Sequence, residues 1–258
     1  MLVDSHCHLE YEGLVEDQSA ALDRARGAGV EAFLNISTKR AEWDQVVGTA
    51  QAKADVFASV GIHPHNADDH LDLTRAELLE ATRDPNVIGI GETGLDYYYD
   101  HSDRAAQQRL FRLHIDVARE VQLPVIIHTR DAEEDTLAIL EDELGKGAFP
   151  ALIHCFTASA EFGERVLDLG LSVSISGIVT FKNAKDLQAF AKDIPPDRLL
   201  VETDSPFLAP VPHRGRPCEP GFVRDTAQFL ADLRGESLES LADYTTRNFY
   251  ALFGKAAA

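Results

Sequence analysis

Residues 87–92 read Val-Ile-Gly-Ile-Gly-Glu, a short apolar run that ends on a carboxylate. Similar β-branched runs recur along the chain with longer amphipathic stretches between them, which is the pattern of repeated βα units. The eight runs are Leu2–Cys7, Ala32–Ser37, Val56–Ile62, Val87–Gly91, Val125–His128, Ala151–Phe156, Leu171–Ser176 and Leu199–Glu202. Eight alternating units predict an α/β fold with one closed parallel sheet, the (β/α)8 or TIM barrel.

The helical pattern is clearest over Ala105–Val121, where apolar side chains repeat at i, i+3 and i+4. After the last run comes a Pro- and Gly-rich loop, Pro206–Pro220, followed by two C-terminal helical segments, Gly221–Arg234 and Leu238–Phe253. Loops that follow barrel strands build active sites, so this long loop is expected to contact substrate. The length of 258 residues is close to the ~250 of a typical barrel, and no linker interrupts it. We therefore predict one domain over residues 1–258.

The composition, 45% hydrophobic and 26% charged, is that of a soluble globular protein. The N-terminus has no signal-peptide pattern, and no stretch approaches the ~20 apolar residues of a membrane helix. Three cysteines, Cys7, Cys155 and Cys218, are an odd number without a CxxC spacing. These features predict a cytoplasmic protein without disulfides and without a membrane partner.

The formal net charge of −19 excludes the class of proteins that coat nucleic acid through a broad basic face. An anionic substrate must then be held locally. Bound divalent ions supply positive charge of that local kind.

The strand ends carry metal-ligand chemistry, beginning with His6-Cys7-His8. Strand alternation turns His6 and His8 to one face and Cys7 to the other. Four further apolar runs each lead to an imidazole or a carboxylate, and a barrel gathers those ends at one rim. The resulting candidate ligands are His6, His8, Glu92, His128, His154 and Asp204.

Coordination explains this set better than packing does, because each buried polar side chain would otherwise need a separate partner. Four imidazoles and two carboxylates are too many for one four-coordinate ion, and they suit two ions of the Zn, Mn or Mg kind. Glu92 would bridge the ions, and Asp204 would also accept the proton of an attacking water. Glu202 is assigned a supporting position. This arrangement predicts hydrolysis.

Candidate substrate contacts lie beyond these strand ends. His63 would orient a phosphate, whereas neighbouring His65 is given no role. Arg130 and Arg214 would pair with phosphate oxygens, although surface ion pairing is the alternative for both. Tyr97 would stack on a base, with core packing as its alternative.

Taken together and in order, the motifs resemble the TatD family of metal-dependent deoxyribonucleases, within the amidohydrolase-like barrels. The matching segments are residues 4–8 (DSHCH), 60–65 (VGIHPH), 89–97 (GIGETGLDY), 128–130 (HTR), 154–156 (HCF) and 202–206 (ETDSP). The resemblance implies a two-metal, Mg²⁺-assisted 3′–5′ exonuclease that acts on single-stranded or frayed DNA ends. It maps the family's metal positions onto the six candidate ligands. One departure is Cys218, where Asn is common in the family.

Two other functions stay open at this point. An amidohydrolase-type esterase or deacylase, for example one that removes D-amino acids from tRNA, would use the same barrel and ions. Many such enzymes carry a carboxylated Lys where this chain has Glu92. A non-catalytic metal-binding module is the third alternative. The physiological metal and the oligomeric state are not indicated, and a monomer is compatible with the sequence.

Overall fold

The computed structural model describes residues 1–257. Its centre is a sheet of eight parallel strands in the order β1 to β8, as the sequence predicts. The strands are β1 Leu2–Cys7, β2 Val30–Asn35, β3 Val56–Val60, β4 Val87–Asp96, β5 Val125–Arg130, β6 Ala151–Ile153, β7 Ser172–Ile175 and β8 Leu199–Val201. The barrel closes just beyond β8, where His8 N–H donates to the Ser205 carbonyl at 2.8 Å.

Helices alternate with the strands and surround the barrel. They are α1 Gln18–Gly27, α2 Trp43–Ala52, α3 Arg75–Ala81, α4 Arg104–Val121, α5 Glu133–Lys146, α6 Ala160–Asp168, α7 Lys185–Asp193, α8 Val223–Arg234 and α9 Leu238–Leu252. The three helices predicted by periodicity, α4, α8 and α9, are confirmed with ends shifted by no more than two residues.

Strand β4 is longer than its apolar run predicts, because it continues past Gly91 to Asp96 with all ten residues buried. In a sequence, glycines inside an apolar run suggest that the strand ends there. In this structure they allow β4 to lie close to β5. Gly94 has a φ of 133°, and a Cβ built on it would lie 2.0 Å from the His128 carbonyl oxygen. The extension carries Asp96 toward the same rim as Glu92.

The apolar core has two layers, one between sheet and helices and one inside the barrel. The inner layer contains residues such as Val3, Ile88 and Ile126, together with Phe249 of α9 and Phe253 directly after it. The C-terminal helix therefore plugs the barrel at the end where the strands begin.

The structure also describes the state of the three cysteines and the character of the helices. Cys7, Cys155 and Cys218 are all free thiols. Among residues 1–257, no helix combines the length and the apolar character needed to cross a bilayer.

Candidate metal centre

Glu92 lies at the middle of the candidate site, on β4 and almost fully buried. Its Oε1 atom is 2.7 Å from Nε2 of His154, 3.0 Å from Nδ1 of His128 and 3.3 Å from Nε2 of His63. His128 lies on β5, which pairs with β4, and His154 directly follows β6, which pairs with β5, so both histidines reach this rim. One carboxylate oxygen therefore faces three imidazoles.

The other oxygen of Glu92 faces the end of β1. Oε2 lies 3.3 Å from Nε2 of His6 and 3.9 Å from Nε2 of His8, and the two imidazole nitrogens are 3.2 Å apart. Oδ1 of Asp204 lies 3.6 Å from His6 and 3.4 Å from His8. Both histidines thus face the site, as strand alternation predicts, and the structure brings all six predicted ligands together.

Asp204 reaches the site because the chain turns sharply after β8. Its φ of 60° is left-handed, a conformation that Asp tolerates better than most residues. The Asp204 N–H donates to the His6 carbonyl at 2.9 Å. The buried Asp4 carboxylate holds this turn by accepting bonds from the Thr203 N–H at 2.9 Å and the Thr203 hydroxyl at 2.6 Å.

Glu202 lies behind His154 and is inaccessible to solvent. Its Oε1 atom is 3.4 Å from Nδ1 of His154, and its other oxygen, Oε2, accepts a hydrogen bond from the Ser174 hydroxyl. The predicted supporting position of Glu202 is therefore where the structure places it, on the face of His154 turned away from Glu92.

Asp96 supports a second imidazole, although the sequence analysis gave it no role. Its Oδ2 atom lies 3.1 Å from Nε2 of His128 and 2.8 Å from Nε2 of His65. Its Oδ1 atom accepts the N–H groups of Tyr98 and Tyr99 at 3.0 and 2.9 Å. His65, expected to have no role, thus belongs to the same network.

The charges of this cluster favour ionised carboxylates. Burial acts to raise the pKa of Glu92, but the charges and hydrogen bonds of His154, His63 and His128 outweigh it and hold that pKa well below the usual range. Burial likewise opposes ionisation of Asp204, whose pKa is nevertheless lowered by its histidine neighbours. Burial lowers the pKa of His63 to about 4, so this imidazole is neutral near pH 7.

Potential ligand atoms form three groups within the described residues. Each group has three atoms within 4.8 Å of one another. They are His6 with His8 and Glu92, His63 with Glu92 and His128, and His6 with His154 and Glu202. His63, predicted to contact substrate, therefore also has the spacing of a candidate ligand.

The cluster forms the floor of an open cavity of about 780 Å³. Its two sides differ in chemistry. The side next to β1 and β8 carries aromatic and apolar groups, among them Tyr11, Phe207 and Leu208. The side next to β4 and β5 carries His65, His101, Tyr99, Thr129 and Arg130.

The predicted substrate contacts divide into two pairs. His63 and Arg130 are on the cavity surface, and the Arg130 guanidinium lies 4.1 Å from the Tyr98 ring centre. Tyr97 is not among the lining residues, because its hydroxyl donates to Asp135 at 2.7 Å outside the cavity. Arg214 is also outside the lining and stacks 3.9 Å from the Phe181 ring centre.

Several cavity residues were not singled out from the sequence. His101 stacks on Tyr99, with ring centres 5.4 Å apart, although its loop position gave it no role. Tyr11 and Phe207 lie in loops without a distinctive motif. The one sequence signal was the position of Phe207, which comes three residues after Asp204 in the long loop.

Comparison with known proteins identifies relatives along almost the whole chain. The family model described as TatD related DNase matches residues 3–254. The metal-dependent hydrolase YcfH of Escherichia coli, whose name calls it uncharacterized, is 45% identical over 255 residues, covering 98% of this chain and 95% of the relative. A Citrobacter koseri protein named 3′-5′ ssDNA/RNA exonuclease TatD is 33% identical over 261 residues, covering 99% of this chain and all of that relative.

The fold agrees with the same family. The crystal structure of YJJV, a TatD homologue from Escherichia coli, superposes with a TM-score of 0.91 at 28% identity and covers 98% of both chains. Three observations point to one family: the eight-stranded barrel, the His and carboxylate side chains gathered at its rim, and the family model that matches residues 3–254. The chain therefore belongs to the TatD family of metal-dependent hydrolases.

Proposed function

We propose that this hydrolase is a 3′–5′ exonuclease that uses two divalent ions to cleave phosphodiesters at single-stranded or frayed DNA ends. The observation that carries the proposal is the position of Glu92, whose two carboxylate oxygens face two different sets of donor atoms. A carboxylate placed in this way suits a bridge between two ions. The printed name of the Citrobacter koseri relative supports a nucleic-acid substrate.

The donor atoms fit divalent ions. Ligands bound at about 2.0–2.2 Å to one tetrahedral ion lie roughly 3.3–3.6 Å apart. The atoms of His6, His8 and Asp204 lie 3.2–3.6 Å from one another. Nitrogen mixed with carboxylate oxygen at this spacing suits Zn²⁺ or Mn²⁺. We propose Mg²⁺ as the working ion on the strength of the family resemblance.

We assign the two ions to the six predicted residues. Glu92 would contact both ions, with His6, His8 and Asp204 on one side and His128 and His154 on the other. When bound, such ions lower the pKa of a water and stabilise charge on the phosphoryl oxygen. Glu92 would thus hold the reacting groups at a fixed separation.

Asp204 would act as the general base. Its side chain is 15% exposed, whereas that of His6 is fully buried and that of Glu92 is 4% exposed. Asp204 is therefore more accessible from the cavity than these two residues. Its lowered pKa keeps it ionised at neutral pH and able to accept a proton from water. The proton would pass to an Asp204 carboxylate oxygen.

The substrate end is expected to be short and single-stranded. Among the described residues that line the cavity, Arg130 is the one arginine or lysine. Arg130 would pair with one phosphate, and a chain with a net charge of −19 offers duplex DNA no broad basic surface.

The decisive experiment uses purified protein stripped of metal and then supplied with Mg²⁺ or Mn²⁺. A 5′-end-labelled single strand should shorten stepwise from its 3′ end, while a strand with a blocked 3′ end should stay intact. Asp204→Asn and His128→Ala should abolish the ladder, and the exposed control Asp243→Asn should leave it unchanged. Metal-loaded protein that spares DNA but hydrolyses an aminoacyl ester would replace this proposal with the deacylase.

A further inference from the structure

We infer that Tyr11 and Phe207 form the binding surface for the terminal nucleobase of the substrate, here called the aromatic wall. This inference rests on the proposed exonuclease and adds a specificity determinant to it. It replaces the sequence-based expectation that Tyr97 stacks on a base, since Tyr97 lies outside the cavity lining.

The aromatic wall directly adjoins the candidate metal ligands. The Tyr11 ring stacks on His8 with centres 4.7 Å apart and an interplanar angle of 22°. The Phe207 ring meets Tyr11 edge-on at 6.0 Å and 84°, and its centre is 6.3 Å from that of His8. A group held on this wall is therefore one side chain away from Asp204, which lies 3.4 Å from His8. That is where the nucleoside attached to a reacting phosphate must lie.

Phe207 remains 49% exposed although it lies on a cavity wall. An exposed phenylalanine beside buried charged groups leaves apolar surface in water, which a flat apolar ligand would cover. A nucleobase fits, because each of the four bases offers a π-face that stacks on an aromatic side chain.

The Tyr11 ring and the backbone of Phe207 are held in place before any ligand arrives. The Tyr11 hydroxyl and the Thr38 hydroxyl are hydrogen-bonded at 2.6 Å. The Phe207 N–H donates to the Asp204 carbonyl at 2.9 Å, which ties the backbone that carries the ring to that of a candidate ligand. Binding then requires little ordering of the wall.

The opposite side of the cavity explains how a nucleotide would be oriented. Arg130 presents a guanidinium there and His65 and His101 present ring nitrogens, which suit phosphate, while the Tyr99 ring on this side is stacked on His101. A terminal nucleotide would place its base on the aromatic wall and the next phosphate toward Arg130. The chemistry of the two sides thus matches the two ends of one nucleotide unit.

The test is a double-mutant cycle between protein and substrate. The protein is wild type or Phe207→Ala, and the oligodeoxynucleotide ends either in a normal 3′ nucleotide or in an abasic tetrahydrofuran. Each single change should lower kcat/KM by about 5- to 150-fold, and the two together should lower it hardly further. The loss should fall mainly on KM, because stacking is equal in ground and transition states. Phe207→Trp should keep the dependence on the base.

Leu71→Ala is the control, because Leu71 is an apolar residue that is 39% exposed yet is not among the cavity-lining residues. It should show no coupling to the terminal base. If the losses in kcat/KM from Phe207→Ala and from the abasic end multiply, the aromatic wall does not bind the base. The proposed exonuclease activity would be unaffected by that result. Wild-type protein that cleaves neither oligonucleotide would overturn both.

Discussion

Nδ1 of His154 faces Oε1 of Glu202 at 3.4 Å, while Nε2 of the same imidazole lies 2.7 Å from Glu92. A histidine that binds metal through one nitrogen commonly donates its other N–H to a carboxylate, which fixes the ring and its tautomer. Glu202 is buried behind His154 and is placed to do this.

Glu202→Gln should therefore weaken metal binding by about 10- to 100-fold, because the amide no longer stabilises the N–H of His154. Isothermal titration of metal-free protein with Mn²⁺ would measure the effect. The exposed substitution Glu239→Gln should leave the affinity unchanged. Equal affinities in Glu202→Gln and wild type would mean that Glu202 does not support a ligand.

Metal removal should lower thermal stability. Ions that bind the folded chain at 100 times their Kd add about 2.7 kcal/mol, which for a chain of this size raises Tm by roughly 5–10 °C. Differential scanning fluorimetry with chelator and then with added Mn²⁺ would record the shift. Glu92→Gln should lose most of it, and an undiminished shift in that variant would place the ions elsewhere.

Gly94→Ala should unfold or severely destabilise the protein, by about 4 kcal/mol or more. The added Cβ would lie 2.0 Å from the His128 carbonyl oxygen, on a backbone with φ of 133°. Gly48→Ala is the matched control, since it is exposed on α2 with nothing within 4 Å of its Cβ. The control should gain about 1 kcal/mol in urea unfolding, and similar behaviour of the two variants would contradict the close contact of β4 and β5.

His114 should make the folded state sensitive to acid. Its Nδ1–H donates to the Leu110 carbonyl at 2.7 Å, and its Nε2 accepts the Ile62 N–H at 3.1 Å, so no lone pair is left for a second proton. Burial lowers its pKa from 6.5 to about 4. Protonation therefore favours the unfolded chain, and stability present above pH 6.5 is lost as the pH falls toward 4, by about 3 kcal/mol in total.

The comparison variant is His114→Gln, whose amide keeps an acceptor but does not titrate. Urea unfolding of both proteins between pH 4 and 7 should show the wild type losing more stability as the pH falls. Parallel curves for the two proteins would refute the assignment.

The predicted site depended on one rule, that parallel barrel strands end at the same rim. That rule placed His128 and His154 at the site because each follows an uninterrupted apolar run, and alternation along β1 added His6 and His8. It missed Asp96, because Gly91 and Gly94 interrupt the apolar pattern and the sequence therefore predicts that β4 ends before Asp96. Alternation along the longer strand would have placed Asp96 on the face of Glu92.

The aromatic wall was beyond sequence reasoning for a different reason. Tyr11 and Phe207 are 196 residues apart, and the contact that closes the barrel, between β1 and the loop after β8, brings them together. Neither stands in a periodic pattern, so their proximity follows only from the closed sheet. Tyr97 shows the converse, because its place beside the Glu92 strand suggested a substrate contact while its hydroxyl is bound to Asp135.

Phe249 of α9 and Phe253 directly after it belong to the inner layer of the barrel. For the proposed exonuclease the barrel is consequently a cup and not a tunnel, and DNA is not threaded through it. A cleaved nucleotide leaves by the opening through which the chain end entered, and it must do so before the shortened strand can advance. For the proposed exonuclease we therefore expect distributive digestion, because the strand and the cleaved nucleotide would use the same exit.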